Sequence, residues 1–320
     1  MREQIFTYGQ YLRRKFGAKI SKVPVSISGF TCPNIDGTVA KGGCTFCEND
    51  SFSPSLDRAR ELKGFFLNLQ SLSNPHLEKQ LQQLEWQFNA LSSRLRDENT
   101  AEKFMVYFQS FTNTYAPFET LKALYTKALS FNNVIGISIG TRSDSITDET
   151  LEYLALLSRH TEVWIEFGIQ SVYDTTLERI NRGHDSASVK ETILKAKSYG
   201  LNVCGHLIFG LPGETKTMML ETAKEAYALG IDSVKYHPLY VVKRTALANE
   251  YARGEFEPIT QELYLEVLKE ALLLKPHHVS VQRISAGIDD ESLVAPLWCK
   301  DKNRQIRSIN KALETVGLKY

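Results

Sequence analysis

The chain has 320 residues, of which 42% are apolar, and its formal net charge is +1. A chain of this size and apolar content buries roughly three quarters of its unfolded surface, as an ordinary globular protein does. No apolar run approaches the roughly 20 residues that a membrane helix needs, and the N-terminus lacks the apolar stretch of a signal peptide, so we expect a cytoplasmic protein with no membrane partner.

Both ends of the chain are basic. Residues 1–23 hold six Lys or Arg and one acidic residue, and residues 299–320 hold six and two, whereas the residues between them are acidic on balance. These ends are either solvated terminal helices or an electrostatic footprint for a polyanion such as RNA, and charge alone does not choose between the two interpretations.

The first predicted strand, residues 23–30, leads into a loop with three of the five cysteines, Cys32, Cys44 and Cys47. An odd number of clustered thiols favours metal binding over disulfide bonds. Thiolates suit zinc or iron-sulfur chemistry, and both normally use four protein ligands. The nearest downstream histidine, His76, lies on the next predicted helix. A zinc site completed by His76 and a 4Fe-4S cluster with one iron open to an exchangeable ligand are therefore both possible.

From this loop onward, predicted strands alternate with amphipathic helices. Such alternation indicates parallel strands with right-handed crossovers, and polar residues gather just after the strand ends. We predict an α/β fold, a partial (β/α)6 TIM-like barrel over residues 23–287, with a basic N-terminal extension (1–22) and a basic C-terminal helical extension (288–320). Residues 277–287 either add a strand or close the opening. The further predicted strands are 103–110, 134–140, 162–171, 202–210 and 233–240, and the helices are 76–97, 118–130, 148–160, 188–200 and 217–230.

The cysteine loop and the motifs YFQSFTNTYAP, GTRSDS, EFGIQS, INRGHD, LIFGLPGET and HPLY, in this order, resemble the radical S-adenosylmethionine (SAM) superfamily over residues 20–285. The Cys-x11-Cys-x2-Cys spacing is similar to that of the Elongator catalytic-subunit group and especially of the YhcC/YtqA-type group. The resemblance implies an enzyme with a 4Fe-4S cluster on the three cysteines. SAM would bind the open iron, an electron donor such as flavodoxin or ferredoxin would reduce the cluster, and cleavage of SAM would give a 5'-deoxyadenosyl radical.

The resemblance also implies roles for residues on the barrel rim. Phe46 would lie near the adenine, and Gln109 near the methionine amino group of SAM. The other implied cofactor-binding residues are Glu166 and Gln170 (ribose and methionyl end), Arg182 (carboxylate), and Ile208 and Gly210 (adenine wall). For each polar residue the alternative is an ordinary rim side chain.

Substrate-facing candidates lie on the last two predicted strands. His206 occupies the place where the superfamily has a glycine, and Tyr236, His237 and Tyr240 follow on the next strand. Any of these that face the lumen would lie above the adenosyl group. Cys204 is interpreted as a buried thiol.

The group resemblance implies a tRNA wobble-uridine modification, in which 5-carboxymethylaminomethyl-uridine is trimmed to 5-aminomethyl-uridine. The alternatives are a radical SAM enzyme on a small metabolite, as in oxygen-independent coproporphyrinogen oxidase, and a nonenzymatic iron-sulfur or zinc protein that binds RNA. The sequence does not predict the oligomeric state. The expected RNA-binding residues are Arg13, Arg14, Lys15, Lys19, Lys302, Arg304, Arg307 and Lys311.

Overall fold

A curled parallel sheet forms the centre of the molecule. The computed structural model describes residues 3–48, 62, 64–99, 101–288 and 291–320, and within them seven parallel strands make one sheet in the order β2-β3-β4-β5-β6-β7-β9. This confirms the predicted α/β partial barrel, and the optional element at 277–287 is its seventh strand. The strands are β1 (Glu3–Gln4), β2 (Ile20–Val25), β3 (Lys103–Phe108), β4 (Val134–Thr141), β5 (Glu162–Gln170), β6 (Asn202–Phe209), β7 (Ser233–Pro238), β8 (Val241–Val242), β9 (Ser280–Arg283), β10 (Leu293–Ala295) and β11 (Leu318–Lys319).

Helices join successive strands of this sheet, because parallel neighbours cannot be connected by a tight turn. None of the described helices is long and apolar enough to span a bilayer. Helix α9 was not predicted from the sequence, although its apolar residues recur at helical spacing. The helices are α1 (Tyr8–Phe16), α2 (Leu77–Asn99), α3 (Phe118–Leu129), α4 (Asp148–Ser158), α5 (Asp174–Arg179), α6 (Ser186–Ser198), α7 (Lys216–Ala228), α8 (Ala246–Ala252), α9 (Gln261–Leu274) and α10 (Lys302–Glu314).

Helix α1 closes the amino end of the barrel. Thr7 caps it, and Gly17 ends it in the left-handed conformation, with φ 65°. Its apolar face packs inside the barrel in a cluster that contains Cys204. The other members of the cluster are Tyr8, Leu12, Met105 and Trp164.

The two ends of the chain pair with each other beside helix α1. Strands β1 and β11 pair in parallel, and the Glu3 amide donates to the Gly317 carbonyl at 2.8 Å. The Val281 amide of β9 donates to the Phe6 carbonyl at 2.9 Å. The basic ends of the sequence are therefore neighbours in space.

Buried glutamines of α2 hold the segment between β2 and the cysteine loop. Gln87 accepts from the Ser26 amide at 2.9 Å and donates to the Ser26 carbonyl at 2.7 Å. Gln83 accepts from the Ser28 amide at 2.9 Å, and Gln80 donates to the Ser28 carbonyl at 2.7 Å. These residues follow the last residue of β2, so side chains supply the partners that a neighbouring strand would supply.

We predict that Gln87→Ala lowers the free energy of unfolding by about 1 to 3 kcal/mol, because it removes the side-chain hydrogen bonds to the buried Ser26 amide and carbonyl. Gln82→Ala is the matched control, since Gln82 lies exposed on the same helix. Urea unfolding of the two variants measures the difference. Equal midpoints would show that the glutamine contacts contribute nothing.

Candidate functional site

A cavity lies at the carboxyl ends of the parallel strands, beside the loop that follows β2. Its walls come from this loop and from β3, β4, β5, β6, β7 and β9 or the residues just after them. Polar rim residues converge here because the carboxyl ends of parallel strands point the same way. The predicted site residues that line it are Cys32, Cys44, Phe46, Cys47, Gln109, Glu166, Gln170, Arg182, His206, Ile208, His237 and Tyr240.

The structure does not bring Tyr236 into this cavity. Tyr236 is fully buried, and its hydroxyl contacts that of Tyr227 of α7. Successive strand residues face opposite sides, so Tyr236 points away from the lumen that Lys235 and His237 face. Its predicted place above the adenosyl group is therefore wrong.

Gly210 also lies elsewhere. It adopts a φ of 90°, and a Cβ added to it would come within 2.6 Å of Ile259. It lines a separate cavity together with Glu214. The glycine at this position serves a tight turn and close packing, and the predicted adenine wall is not formed by it.

Hydrogen bonds fix the cysteine loop against the segment that follows α5. Asn34 Nδ2 donates to the carbonyls of Asn181 and Arg182 at 2.6 and 2.8 Å. Asn34 Nδ2 and Arg182 Nη1 also lie 3.6 and 3.7 Å from Cys44 Sγ. The sulfur that would ligate a metal therefore lies beside N–H groups of Asn34 and Arg182.

The three loop sulfurs do not have the close spacing that a single tetrahedral ion requires. Among the described residues, three His, Cys, Asp or Glu ligand atoms lie within 4.8 Å of one another only at Glu166, Cys204 and His206, so the three loop sulfurs are more widely spread. A tetrahedral zinc would hold them about 3.8 Å apart. His76, the candidate fourth zinc ligand, instead packs edge-on against Phe65, with ring centroids 4.6 Å apart.

Residues 37–226 match the radical SAM superfamily, and residues 231–315 match the radical SAM C-terminal domain. The chain belongs to the radical SAM superfamily. It is 36% identical to the uncharacterized protein YtqA of Bacillus subtilis over 311 residues, 97% of this chain and 90% of YtqA. The resemblance to the YhcC/YtqA-type group is thereby confirmed.

Two further comparisons cover smaller shares of this chain and of the protein compared. The tRNA uridine(34) acetyltransferase of Methanocaldococcus infernus is 32% identical over 160 residues, 48% of this chain and 29% of that protein. The archaeal Methanocaldococcus infernus Elp3 with an N-terminal deletion superposes with a TM-score of 0.62 at 20% identity, over 93% of this chain and 64% of that chain. This second likeness shows a shared fold.

A radical SAM protein uses a 4Fe-4S cluster and SAM, and polar groups at the cavity suit such a cofactor pair. Gln170, with φ 65°, has a buried side-chain oxygen without a hydrogen-bond partner among the described residues, and Arg182 has a buried Nε in the same state. A Cβ at Gly168 would come within 2.7 Å of both side chains, so the glycine leaves them room. These two residues would hold the polar end of SAM.

Glu166 lies at the floor of the cavity in a buried ionic layer. Its Oε1 accepts from Lys22 Nζ and from Ser138 Oγ, and its Oε2 accepts from Lys235 Nζ and from His206 Nε2. The four acceptor positions of the carboxylate are thus filled from within the protein. Glu166 was predicted to grip the ribose and methionyl end of SAM, whereas in the structure protein donors occupy its carboxylate at the cavity floor.

The ionic layer determines which groups carry charge. Burial opposes ionisation of Glu166, but Lys22 and Lys235 outweigh it and hold the carboxyl pKa well below its usual value. Burial, with the charge of Lys235, lowers the pKa of His206 to about 4, and burial also lowers the pKa of His237. Both imidazoles are therefore neutral at pH 7.

Sequence reasoning missed Lys22, Tyr107, Lys235 and Arg283. Lys22 lies in β2 and Lys235 in β7, and most of the other residues of these strands are apolar. A lysine within such a strand was the only sequence feature that could have indicated a buried charge. Their partner Glu166 is 144 and 69 residues distant in sequence, so the pairing itself left no local pattern.

We predict that acid destabilises the protein partly through His206. Its pKa is about 4 in the folded state and about 6.5 in the unfolded chain, so the unfolded state binds the proton first and the free energy of unfolding falls as pH drops from 6.5 toward 4. His206→Gln keeps a donor for Glu166 and cannot titrate. Urea unfolding at pH 7.5, 6.0 and 5.0 should show a shallower pH dependence for His206→Gln than for the wild type. Parallel pH profiles would contradict this.

Proposed function

We propose that this radical SAM enzyme modifies the wobble uridine of tRNA and trims 5-carboxymethylaminomethyl-uridine to 5-aminomethyl-uridine. The observation that supports the substrate class is the 32% identity to the tRNA uridine(34) acetyltransferase over 160 residues. That stretch is half of this chain and under a third of the relative, so the shared part supports a common kind of substrate rather than acetyl transfer.

Residues at one end of the cavity would bind the cofactors, and residues at the other end would contact the substrate. Cys32, Cys44 and Cys47 would hold the cluster, with Arg182 beside Cys44. When bound, the reduced cluster and SAM supply one-electron cleavage and hydrogen-atom abstraction. His206 and His237 are neutral, so they offer the substrate hydrogen bonds without adding charge. A flipped-out base is small enough to reach such a lumen from the rim.

Helix α10 is the basic element best placed to contact RNA near the rim. It begins beside Cys299, whose carbonyl accepts from Gln305, and Cys299 lies in the cluster that packs against Tyr240 of the cavity. The helix then runs to β11 at the amino end of the barrel. Its exposed basic residues are Lys302, Arg304, Arg307 and Lys311.

The basic residues of α1 are less available. Lys15 pairs with Glu162 at 2.7 Å, and Arg14 stacks over the ring of Phe6 at 5.1 Å. Glu162 is the first residue of β5, so these contacts lie at the end of the barrel opposite the cysteine loop. In this proposal, Arg13, Arg14 and Lys19 contribute at the periphery of the RNA surface.

We predict that tRNA from cells lacking the gene accumulates 5-carboxymethylaminomethyl-uridine and lacks 5-aminomethyl-uridine. The purified, anaerobically reconstituted enzyme with SAM and a reductant should convert the first nucleoside into the second, and Cys44→Ala should not. Nucleoside mass spectrometry measures both. An unchanged nucleoside profile in the deletion strain would reject the tRNA assignment and favour a small metabolite.

We further predict that Arg304→Glu/Arg307→Glu weakens tRNA binding more than Arg13→Glu/Arg14→Glu, a variant with the same change in charge. Each lost phosphate contact should flatten the slope of log affinity against log salt by about 0.7 to 0.9. Filter binding at several salt concentrations gives the slopes. If both variants bind tRNA like the wild type, the basic ends are only solvated helices.

A further inference from the structure

Three arginines line the cavity, and two of them are engaged by the protein. Arg142 forms an ion pair with Asp144 at its Nε, 2.8 Å away. Arg182 donates to the Gly168 carbonyl at 3.0 Å and lies 3.7 Å from Cys44 Sγ. The side chain of Arg283 forms no hydrogen bond or ion pair among the described residues.

Arg283 lines the cavity from the last strand of the sheet. It is the last residue of β9 and pairs in register with Lys235 of β7. Its charge contributes to lowering the pKa of His237 and opposes the rise in the pKa of Tyr240. The cationic side chain that acts on Cys47 is Arg182.

Positive charge exceeds negative charge around Glu166 and Arg283. Glu166 is the one carboxylate among the described residues that line it, and Lys22 and Lys235 both pair with that single group. Neutral His206 and His237 cannot balance Arg283. The unpaired guanidinium in this partly buried lumen is therefore free to bind an anion from outside the protein.

We propose that Arg283 binds a carboxylate of the substrate. The inference rests on the proposed function, because a carboxymethylaminomethyl group ends in a carboxylate that could enter the lumen with the uridine. A planar guanidinium can hold a carboxylate through two parallel hydrogen bonds, and the strand residue that carries it is fixed by the sheet. The site would make the enzyme specific for a uridine with an acidic side chain.

A substrate-by-enzyme cycle tests this assignment. Wild type, Arg283→Lys and Arg283→Met are assayed on anticodon stem-loops bearing 5-carboxymethylaminomethyl-uridine or its carboxamide analogue. We expect the wild type to prefer the acid by roughly 10- to 100-fold in kcat/KM, mainly through KM, with a smaller preference in Arg283→Lys and almost none in Arg283→Met. The same preference in Arg283→Met as in the wild type would overturn the proposal. If Arg283→Met does not fold, the wild type alone still tests the proposal: equal kcat/KM values on the acid and on the carboxamide would overturn it.

A ligand-binding experiment tests the carboxylate site independently of the tRNA function. Thermal unfolding of the cluster-loaded protein is followed with N-methylglycine, with inorganic phosphate, and with methylamine, which lacks the carboxylate. We expect N-methylglycine to raise the Tm of the wild type and not of Arg283→Met. Stabilisation by phosphate alone, or equal shifts in both proteins, would overturn the carboxylate site. Stabilisation by N-methylglycine in an enzyme that turns over no tRNA would keep the site and reject the tRNA function.

Discussion

The buried carboxylate of Glu166 is the interaction on which the barrel depends. An isolated charge in a protein interior is very costly, so this one requires every donor that surrounds it. Lys22 also donates to Gln282 at 2.7 Å, which joins the first strand of the sheet to the last. A shift of any strand by one residue would turn its partner away and leave the charge unpaired. The residues that meet in this layer come from six strands and are Lys22, Ser138, Glu166, His206, Lys235 and Gln282.

This ionic layer separates two regions with different chemistry. Below it, Tyr8 and Leu12 of α1 fill the amino end of the barrel with apolar contacts. Above it, the cavity reaches the cysteine loop and the rim. Because the layer uses its carboxylate internally and neutralises two histidines by burial, the cavity floor offers donors and little negative charge. A negatively charged substrate group therefore meets no competing anion there.

Local patterns predicted the backbone well, since each strand and helix of the barrel carries its own hydrophobic period. The motif residues after strand ends also converge as expected, because parallel strands deliver them to one edge. The errors concern which way a side chain points. Tyr236 and His237 are adjacent on one strand, so only one of them could face the lumen. The ion pair of Lys235 with Glu166 shows that Lys235 and His237 share the lumen face, but Glu166 lies 69 residues away in sequence. Gly210 was assigned by motif, whereas its contact with Ile259 depends on a segment that no motif describes.

The unpaired Arg283 illustrates how such a lumen can be stable and selective at once. Its side chain is only partly buried, so solvent water can reach the guanidinium and the charge costs the folded state little stability. A carboxylate that displaces this water meets a charge whose backbone is held in place by β9, and ordering the long side chain offsets part of the gain. A neutral analogue would displace the same water without replacing the ionic hydrogen bonds. Selectivity for an acidic group then follows from what the wrong ligand leaves unsatisfied, and not from tighter packing of the right one.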